Sequence, residues 1–579
     1  MRKTVRGGFG LLLLMVSAAC GKEKAEGAGE GAAANVPDSL RYGGTAVIAS
    51  YGDLQSMNAL VASDFTSNSI MREMLFMPLV KYDEKLNVVP WLAASWDTAR
   101  VAGDSLDLTF HLRRDVKWHD GQPTTAEDVK FTYERAIDPR TGFPNISAFQ
   151  GFYSPRVVLV DPYTVRFRMR PHAEFLDIWY QTPIMPKHLL GSVPPEQLIT
   201  HPFGTTAPVG NGPFRFVRRI PGQEWVFEAN PAFSDSLGGR PYLDRIVYRN
   251  LPEQTTLLTE LLTGRVDVYL GVNPAQAEQV KASRTAHLSA TPFRQWVYIA
   301  WNTRLPMFSD ARVRRALTMA IDRQAIVEAL VHGYGEVGRA SVTPAHWSYD
   351  PRDTLTLLPH DTAAARKLLT EAGWQDRDRN GVLEDAQGRE FRFTLKTNQG
   401  NDLRKDITEI VQAQLRPLGI VVEPRLVEWN TLIRQLQGSA TGRGAGTRDF
   451  EAVVNAWVDD FRKNDADILH SRNLTKPYQY VGYANTRVDS MIDTLNVIMD
   501  RQQAAPIWRE YQRLLATEAP YTVLYYPQRL AGINRRLQGV KMDVRGDLST
   551  VGKWWILPSE RTDGAPAGPG AGARDSAGG

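Results

Sequence analysis

"VKWHDGQPTTAEDVKFTYER", residues 116–135, is the stretch on which the reading of this 579-residue chain turns. It opens on His119 beside Asp120, a pair that acid–base catalysis or a metal would use. Thr124 then precedes Glu127 by three, the spacing of a capping box that satisfies free N–H groups at a helix start. Val129, Tyr133 and Ile137 share one face of the helix that follows. Just upstream, SLDLTFHL (105–112) places Leu106, Leu108, Phe110 and Leu112 at period two, which predicts a half-buried strand. His119-Asp120-Gly121 therefore lies between a strand and a helix. No nucleophile with a recognisable setting accompanies it, nor the H-E-x-x-H spacing that sets two imidazoles on one helix face. An Asp-Gly turn, with Gly121 supplying a left-handed position, is the simpler reading.

Outward from that stretch, the chain is too long for one core and implies several domains. Hydrophobic residues make up 43% and charged residues 23%, an ordinary globular balance. The net charge of +4 comes with no clustered Lys/Arg segment, which argues against nucleic acid as a partner. Fourteen Trp and 20 Tyr suit both cores and ligand pockets. Cys20 is the single cysteine, which excludes an internal disulfide and a cysteine-based zinc site. It closes a segment, residues 1–20, with basic Arg2, Lys3 and Arg6, apolar Leu11 to Val16, and small Ser17-Ala18-Ala19. That is a secretory signal, too short to span a membrane. The segment resembles a lipobox, with Ser17 where Leu is usual, and the resemblance implies lipidation of Cys20. A plain signal peptide with an incidental cysteine is the other reading. Residues 21–42 have the composition of a flexible tether, and 558–579 that of a disordered tail.

Strand and helix signals alternate in between. GGTAVIAS is a first strand; EQTTLLTELLTGRVDVYL is a helix, a Gly264 stop and a strand. Ser309-Asp310 can cap the helix carrying Val313, Leu317 and Ile321. EFRFTLKT, the helix Leu403 to Leu415 and IVVEPRLVEW form a βαβ unit. A Gly-rich loop, 438–446, precedes the strand EAVVNAW; it lacks the Gly-Lys-Ser/Thr ending of a phosphate loop. A helix over Ala504–Glu518 and the strand YTVLYYP close the ordered part. No G-x-S-x-G elbow occurs.

Two acidic groups stand out. In DRDRNGVLEDAQ (376–387), Asp376, Asp378 and Asn380 take positions 1, 3 and 5 of a calcium-type loop, with Gly381 at 6 and Glu384 beyond. A structural calcium is the candidate cofactor, although Gln387 replaces the usual bidentate glutamate and Arg377 and Arg379 add positive charge. An Asx-rich turn is the alternative. Asp459-Asp460 follow Trp457 at a strand end, as acid–base partners, as a seat for a cationic ligand group, or as a solvated acidic loop.

Several segments together resemble one family, the family 5 extracellular solute-binding proteins, the dipeptide- and oligopeptide-binding components of ABC importers. The carriers are LAASWDTARVAGDSLDLTFHLRRDVKWHDGQPTTAEDVKFTYERA (92–136), PVGNGPFRFVRRIPGQEWVFEANPAF (208–233), IAWNTRLPMFSDARVRRALTMAIDRQAIVEALVHGYG (299–335) and NAWVDDFRKNDADILHS (from 455). The resemblance implies an α/β, periplasmic-binding-protein-like fold of three lobes. Domain I would comprise 43–90, 206–300 and 505–557, domain II 91–205 and domain III 301–504. A ligand cleft would lie between domains I and III and close about a hinge.

In peptide-binding members an aspartate shortly after a strand-end Trp pairs with the peptide's α-ammonium; the matching position is Asp460, after Trp457. This chain departs from the family at Phe461-Arg462-Lys463-Asn464, where an Asp-Pro-Asp is common. Further cleft candidates are Asp459, Ser50 to Ser56 with Tyr51, Trp301-Asn302 and Trp429. The expectation is a monomeric, non-enzymatic binding protein at the periplasmic or cell-surface side. It would be held to the membrane by a lipid on Cys20, and would deliver peptides to ABC transporter permease subunits. A nickel chelate, oligosaccharide, opine or haem is the alternative ligand, and a secreted hydrolase the alternative class.

Overall fold

The computed structural model describes residues 36–101, 105–438 and 448–561. The signal segment with Cys20, most of the tether, most of the Gly-rich loop and the tail from 562 lie outside the described residues.

The opening stretch folds as its pattern predicts, with one shift. Strand Ser105–Leu112 buries Leu106, Leu108, Phe110 and Leu112. Helix Ala126–Ile137 begins after Thr125, not Thr124. Asp128 closes the box by accepting the Thr125 N–H at 2.9 Å, and also accepts the Lys187 N–H at 2.9 Å and the Trp118 indole N–H at 3.4 Å. Burial pushes the Asp128 carboxyl up from its ordinary range, against these hydrogen bonds.

His119 and Asp120 have structural partners. His119 Nδ1 accepts the Gly210 N–H at 3.1 Å, so the ring proton sits on Nε2, 3.1 Å from the Gly212 carbonyl. Burial lowers the imidazole pKa to about 4, so the ring stays neutral. Asp120 is held by His188 at 2.7 Å. Asn211 accepts the Met77 N–H at 2.8 Å and donates to Thr124 at 3.3 Å. The HDG and GNG segments therefore clasp each other. A Cβ on Gly210 would stand 1.8 Å from the Leu75 carbonyl oxygen. Gly210→Ala is expected to cost about 1–3 kcal/mol, because backbone must move to admit it; equilibrium denaturation measures the loss.

Among the described residues a twelve-stranded sheet runs through the first and third lobes, a four-stranded sheet stands apart, and two short two-stranded ribbons complete the set. A small antiparallel sheet, in order Ala93–Val101, Ser105–Leu112, Thr164–Met169 and Tyr153–Asp161, forms the second lobe. It packs on helix Ala126–Ile137 around Tyr133, Phe149, Phe167 and Trp179. This lobe shares one apolar cluster with the first lobe, including Ile48, Phe227 and Trp554.

The first and third lobes are joined through one strand. Tyr521–Asn534 pairs by its first half with Gln295–Trp301 and by its second half with Ala286–Pro292 and Val268–Leu270. The chain thus crosses between the lobes twice, side by side, at 292–295 and 525–528. In the first lobe Thr45–Ser50 runs parallel to Arg245–Asn250 and Val268–Leu270. In the third, Arg392–Asn398 runs parallel to Val421–Val427 and Ala452–Val458.

The layout differs from the expected ranges in two places. Strand Gln295–Trp301 belongs to the third-lobe sheet, paired with Ala452–Val458. Helix Arg501–Glu518 buries Trp508, Tyr511 and Leu515 in the third-lobe core beside Leu432 and Val453, so 505–518 leaves the first lobe. The cause is the shared strand: the segments flanking it pack on whichever half of it they adjoin.

Candidate functional site

Strand direction fixes where the cleft lies. Tyr521–Asn534 is antiparallel to both Gln295–Trp301 and Val268–Leu270. The carboxyl ends of the parallel strands in each lobe therefore face each other across the two crossings. In open α/β sheets that is where ligands bind. Tyr51, Trp429 and Asp460 each follow such an end, after Ser50, Val427 and Val458.

Trp301 and Asn302 do not join them. Trp301 opposes Ala452 while Trp296 opposes Trp457, so Trp301 stands five steps away, about 17 Å toward the far edge. Its ring is fully buried against Phe308 and Phe393, and its indole N–H is given to Thr522 at 3.0 Å. Asn302 is buried too, donating to the Phe450 carbonyl at 2.9 Å. Both were expected at the cleft; both are spent on the core.

Trp457 is half-buried, edge-on to Tyr478 with centroids 5.4 Å apart. Trp429 and Tyr51 are exposed, and Tyr51 lies within electrostatic reach of Tyr525 in the crossing strand. Asp53, in the Ser50–Ser56 segment, is committed to the Trp225 indole at 3.0 Å and the Gly222 N–H at 3.2 Å.

The loop 459–465 is the centre of the site. Lys463 is buried, with its ammonium 2.7 Å from both Asp459 and Asp465. Asp465 also accepts Ser341 and Tyr511 hydroxyls at 2.7 Å. Arg462 turns away, donating to Asn496 at 3.1 Å and lying over the Phe152 ring. The two cations that break the family pattern thus hold the loop and leave the cleft to Asp460. Burial raises the Asp459 carboxyl while the Lys463 charge pulls it back.

Asp460 differs from its neighbours. Its side chain is exposed, yet enough protein stands near it to desolvate the carboxyl, as for a group on the wall of a cleft. Among the described residues no side chain or backbone group is hydrogen-bonded or ion-paired with its carboxylate. Desolvation raises its pKa to about 7; Asp177 adds to the rise, and Arg294 and Arg72 oppose it.

The surrounding wall comes from three lobes, and sequence reasoning missed it. Phe461 packs between Tyr82 and Tyr180, at 4.5 and 5.9 Å between centroids. Asp177, buried in the second lobe, accepts the Tyr82 hydroxyl at 2.8 Å and the Arg462 N–H at 3.3 Å. Arg72 stacks on Tyr180 and donates to Gln181 at 3.1 Å. A weak signal for Phe461 existed in its departure from the family pattern; none existed for Arg72, Asp177 or Arg294.

The calcium-type loop lies elsewhere, on the third lobe. Carboxylate oxygens of Asp376, Asp378 and Glu384 lie within 4.8 Å of one another. The Asn380 side-chain oxygen accepts the Val382 N–H at 2.7 Å and its amide donates to Asp378 at 3.0 Å. Backbone N–H groups of Gly381, Asn380 and Arg377 are already bonded to the three carboxylates. The loop is an Asx-rich turn in its own right.

Comparison with known proteins agrees with this architecture. Residues 87–476 match the model for the bacterial extracellular solute-binding proteins, family 5. The oligopeptide-binding protein AppA of Bacillus subtilis is 32% identical over 551 residues, 94% of this chain and 97% of that protein. Its structure in complex with a nonapeptide superposes with a TM-score of 0.82, covering 89% of this chain and 99% of that one. NikZ from Campylobacter jejuni, solved with Ni(L-His), gives a TM-score of 0.77 at 22% identity, covering 88% and 99%. At that identity the likeness speaks for the fold alone.

Proposed function

The chain belongs to the bacterial extracellular solute-binding proteins of family 5, and from that premise we propose that it captures peptides in the cleft between its first and third lobes and passes them to an ABC permease. The protein binds and releases; no bond is made or broken. It works outside the cytoplasm, as a monomer held to the membrane through Cys20. No described helix is long and apolar enough to cross a membrane.

One observation carries the peptide reading: Asp460, a desolvated carboxylate that has no hydrogen-bond partner among the described residues and borders the cleft. An α-ammonium supplies the three donors and the charge that such a group lacks. The likeness to an oligopeptide-binding relative over nearly the whole chain supports this ligand over a chelate or a sugar.

The test is the pH dependence of binding, with synthetic nonapeptide pools bearing free or acetylated N-termini. Pairing needs Asp460 ionised, and its pKa is raised to about 7. Affinity for the free-amine pool is therefore full above that pH and falls as pH drops through it. The peptide's own α-amino group loses its proton near about 8, which sets an alkaline limb. The expected profile is a bell with its top between about 7 and 8, and a flat line for the acetylated pool. Equal affinity for the two pools at every pH would refute ammonium pairing. Native mass spectrometry of the mature protein identifies what co-purifies: a peptide ladder supports the reading, a sugar or metal chelate overturns it.

A further inference from the structure

Arg294 occupies an unusual place. It sits in the short crossing between strands Ala286–Pro292 and Gln295–Trp301, and so within one of the two connections about which the lobes turn. It is nearly fully buried, and among the described residues no carboxylate lies within ion-pair distance of it. A buried guanidinium left so is costly unless charge nearby repays it. Its bonds all go to backbone. Its own carbonyl accepts the Asp459 N–H at 2.8 Å; its guanidinium donates to the Asp459 carbonyl and, at 3.3 Å, to the Val544 carbonyl. It also lies over the Phe461 ring, 4.0 Å from the centroid. Arg294 thus holds residue 459 by both its N–H and its carbonyl. The same side chain reaches the segment after the crossing strand, and the charge that repays its burial comes from Asp460 and Asp177.

We propose that Arg294 is a hinge-borne positioning residue, which fixes the ammonium-binding Asp460 in the cleft by holding residues 459 and 461 on either side of it, so that ligand capture and lobe closure act on the same side chain. The proposal rests on the peptide reading above. When the lobes part, the crossing flexes and Val544 and Asp459 move relative to each other; the Arg294 fork spans both. When an ammonium reaches Asp460, the charge balance around Arg294 changes in the same place. The charged and titratable groups within electrostatic reach of Asp460 are Arg72 from the first lobe, Asp177 from the second, Arg294 from the crossing, and Asp459, Arg462 and Tyr478 from the third. Among those that favour the carboxylate, Arg294 acts most strongly.

The experiment compares Arg294→Gln and Arg294→Lys with the unaltered protein, using the free-amine and acetylated nonapeptide pools at pH 6.5 and 8. Gln removes both fork and charge. Its free-amine affinity should fall about tenfold at pH 8 and about a hundredfold at pH 6.5, as the acid limb moves upward. Lys keeps the charge and loses the fork, so it should lose about three- to tenfold at both values, with the acid limb unmoved. Acetylated peptides should be affected equally at both pH values by either variant. An equal loss at pH 6.5 and 8 for Gln reduces Arg294 to a structural role and overturns the proposal. If Gln fails to fold, Lys decides: an acid limb that moves in Lys, or an unchanged affinity, overturns it equally. An unaltered protein that binds the two pools alike refutes the peptide reading itself, which keeps the two failures apart.

Discussion

Asp460→Asn is expected to weaken binding of free-amine peptides by about 30- to 150-fold while leaving N-acetylated peptides within about threefold. Truncating one partner of a desolvated charge pair usually costs about 2–5 kcal/mol, and the lower part of that range applies because Asp460 borders open space. Asparagine keeps the shape and one acceptor, so the loss reports charge rather than packing. The variant should fold normally, since among the described residues no hydrogen bond depends on this carboxylate. Its pH profile should also lose the acid limb. Calorimetry with both peptide pools measures each part; an unchanged free-amine affinity would end the case for Asp460 as the ammonium site.

Trp301→Ala should do the reverse: cost about 3–5 kcal/mol of stability and leave the preference for a free N-terminus intact. The indole fills the third-lobe core against Phe308 and Phe393, and its removal leaves a cavity that the sheet cannot close. The Thr522 hydroxyl keeps a partner in Thr318 at 2.6 Å, so the loss comes from packing rather than a stranded polar group. Urea unfolding followed by tryptophan fluorescence gives the magnitude. A large change in the ratio of free to acetylated affinity would return Trp301 to the cleft.

The contrast between these residues shows what a sequence can carry. Alternation in SLDLTFHL, the Gly264 stop and the Asp310 cap are local, and local pattern is legible because backbone geometry alone imposes it. The capping box missed by one residue because Thr124-Thr125 and Glu127-Asp128 offer two registers; the Asn211 contact that takes Thr124 is distant in sequence. Trp301 and Trp457 look alike as strand-end aromatics. What separates them is strand direction, which follows from pairing with Tyr521–Asn534 and cannot be read from either segment. Asp460 was reachable through resemblance. The wall around it was not, because Arg72, Asp177 and Arg294 come from two lobes and the crossing between lobes, and only folding brings them together.

The strand shared by the two main lobes bears on how the protein is made. Tyr521–Asn534 supplies pairing edges to Val268–Leu270, Ala286–Pro292, Gln295–Trp301 and Gly335–Val337. A nascent chain that ends before it lacks the strand that joins the two halves of the long sheet, whatever else has formed. The small sheet between residues 93 and 169 needs nothing so late and has its partners early. The two halves of the binding apparatus thus stay unjoined until residues 521–534 are made, and that one segment connects them.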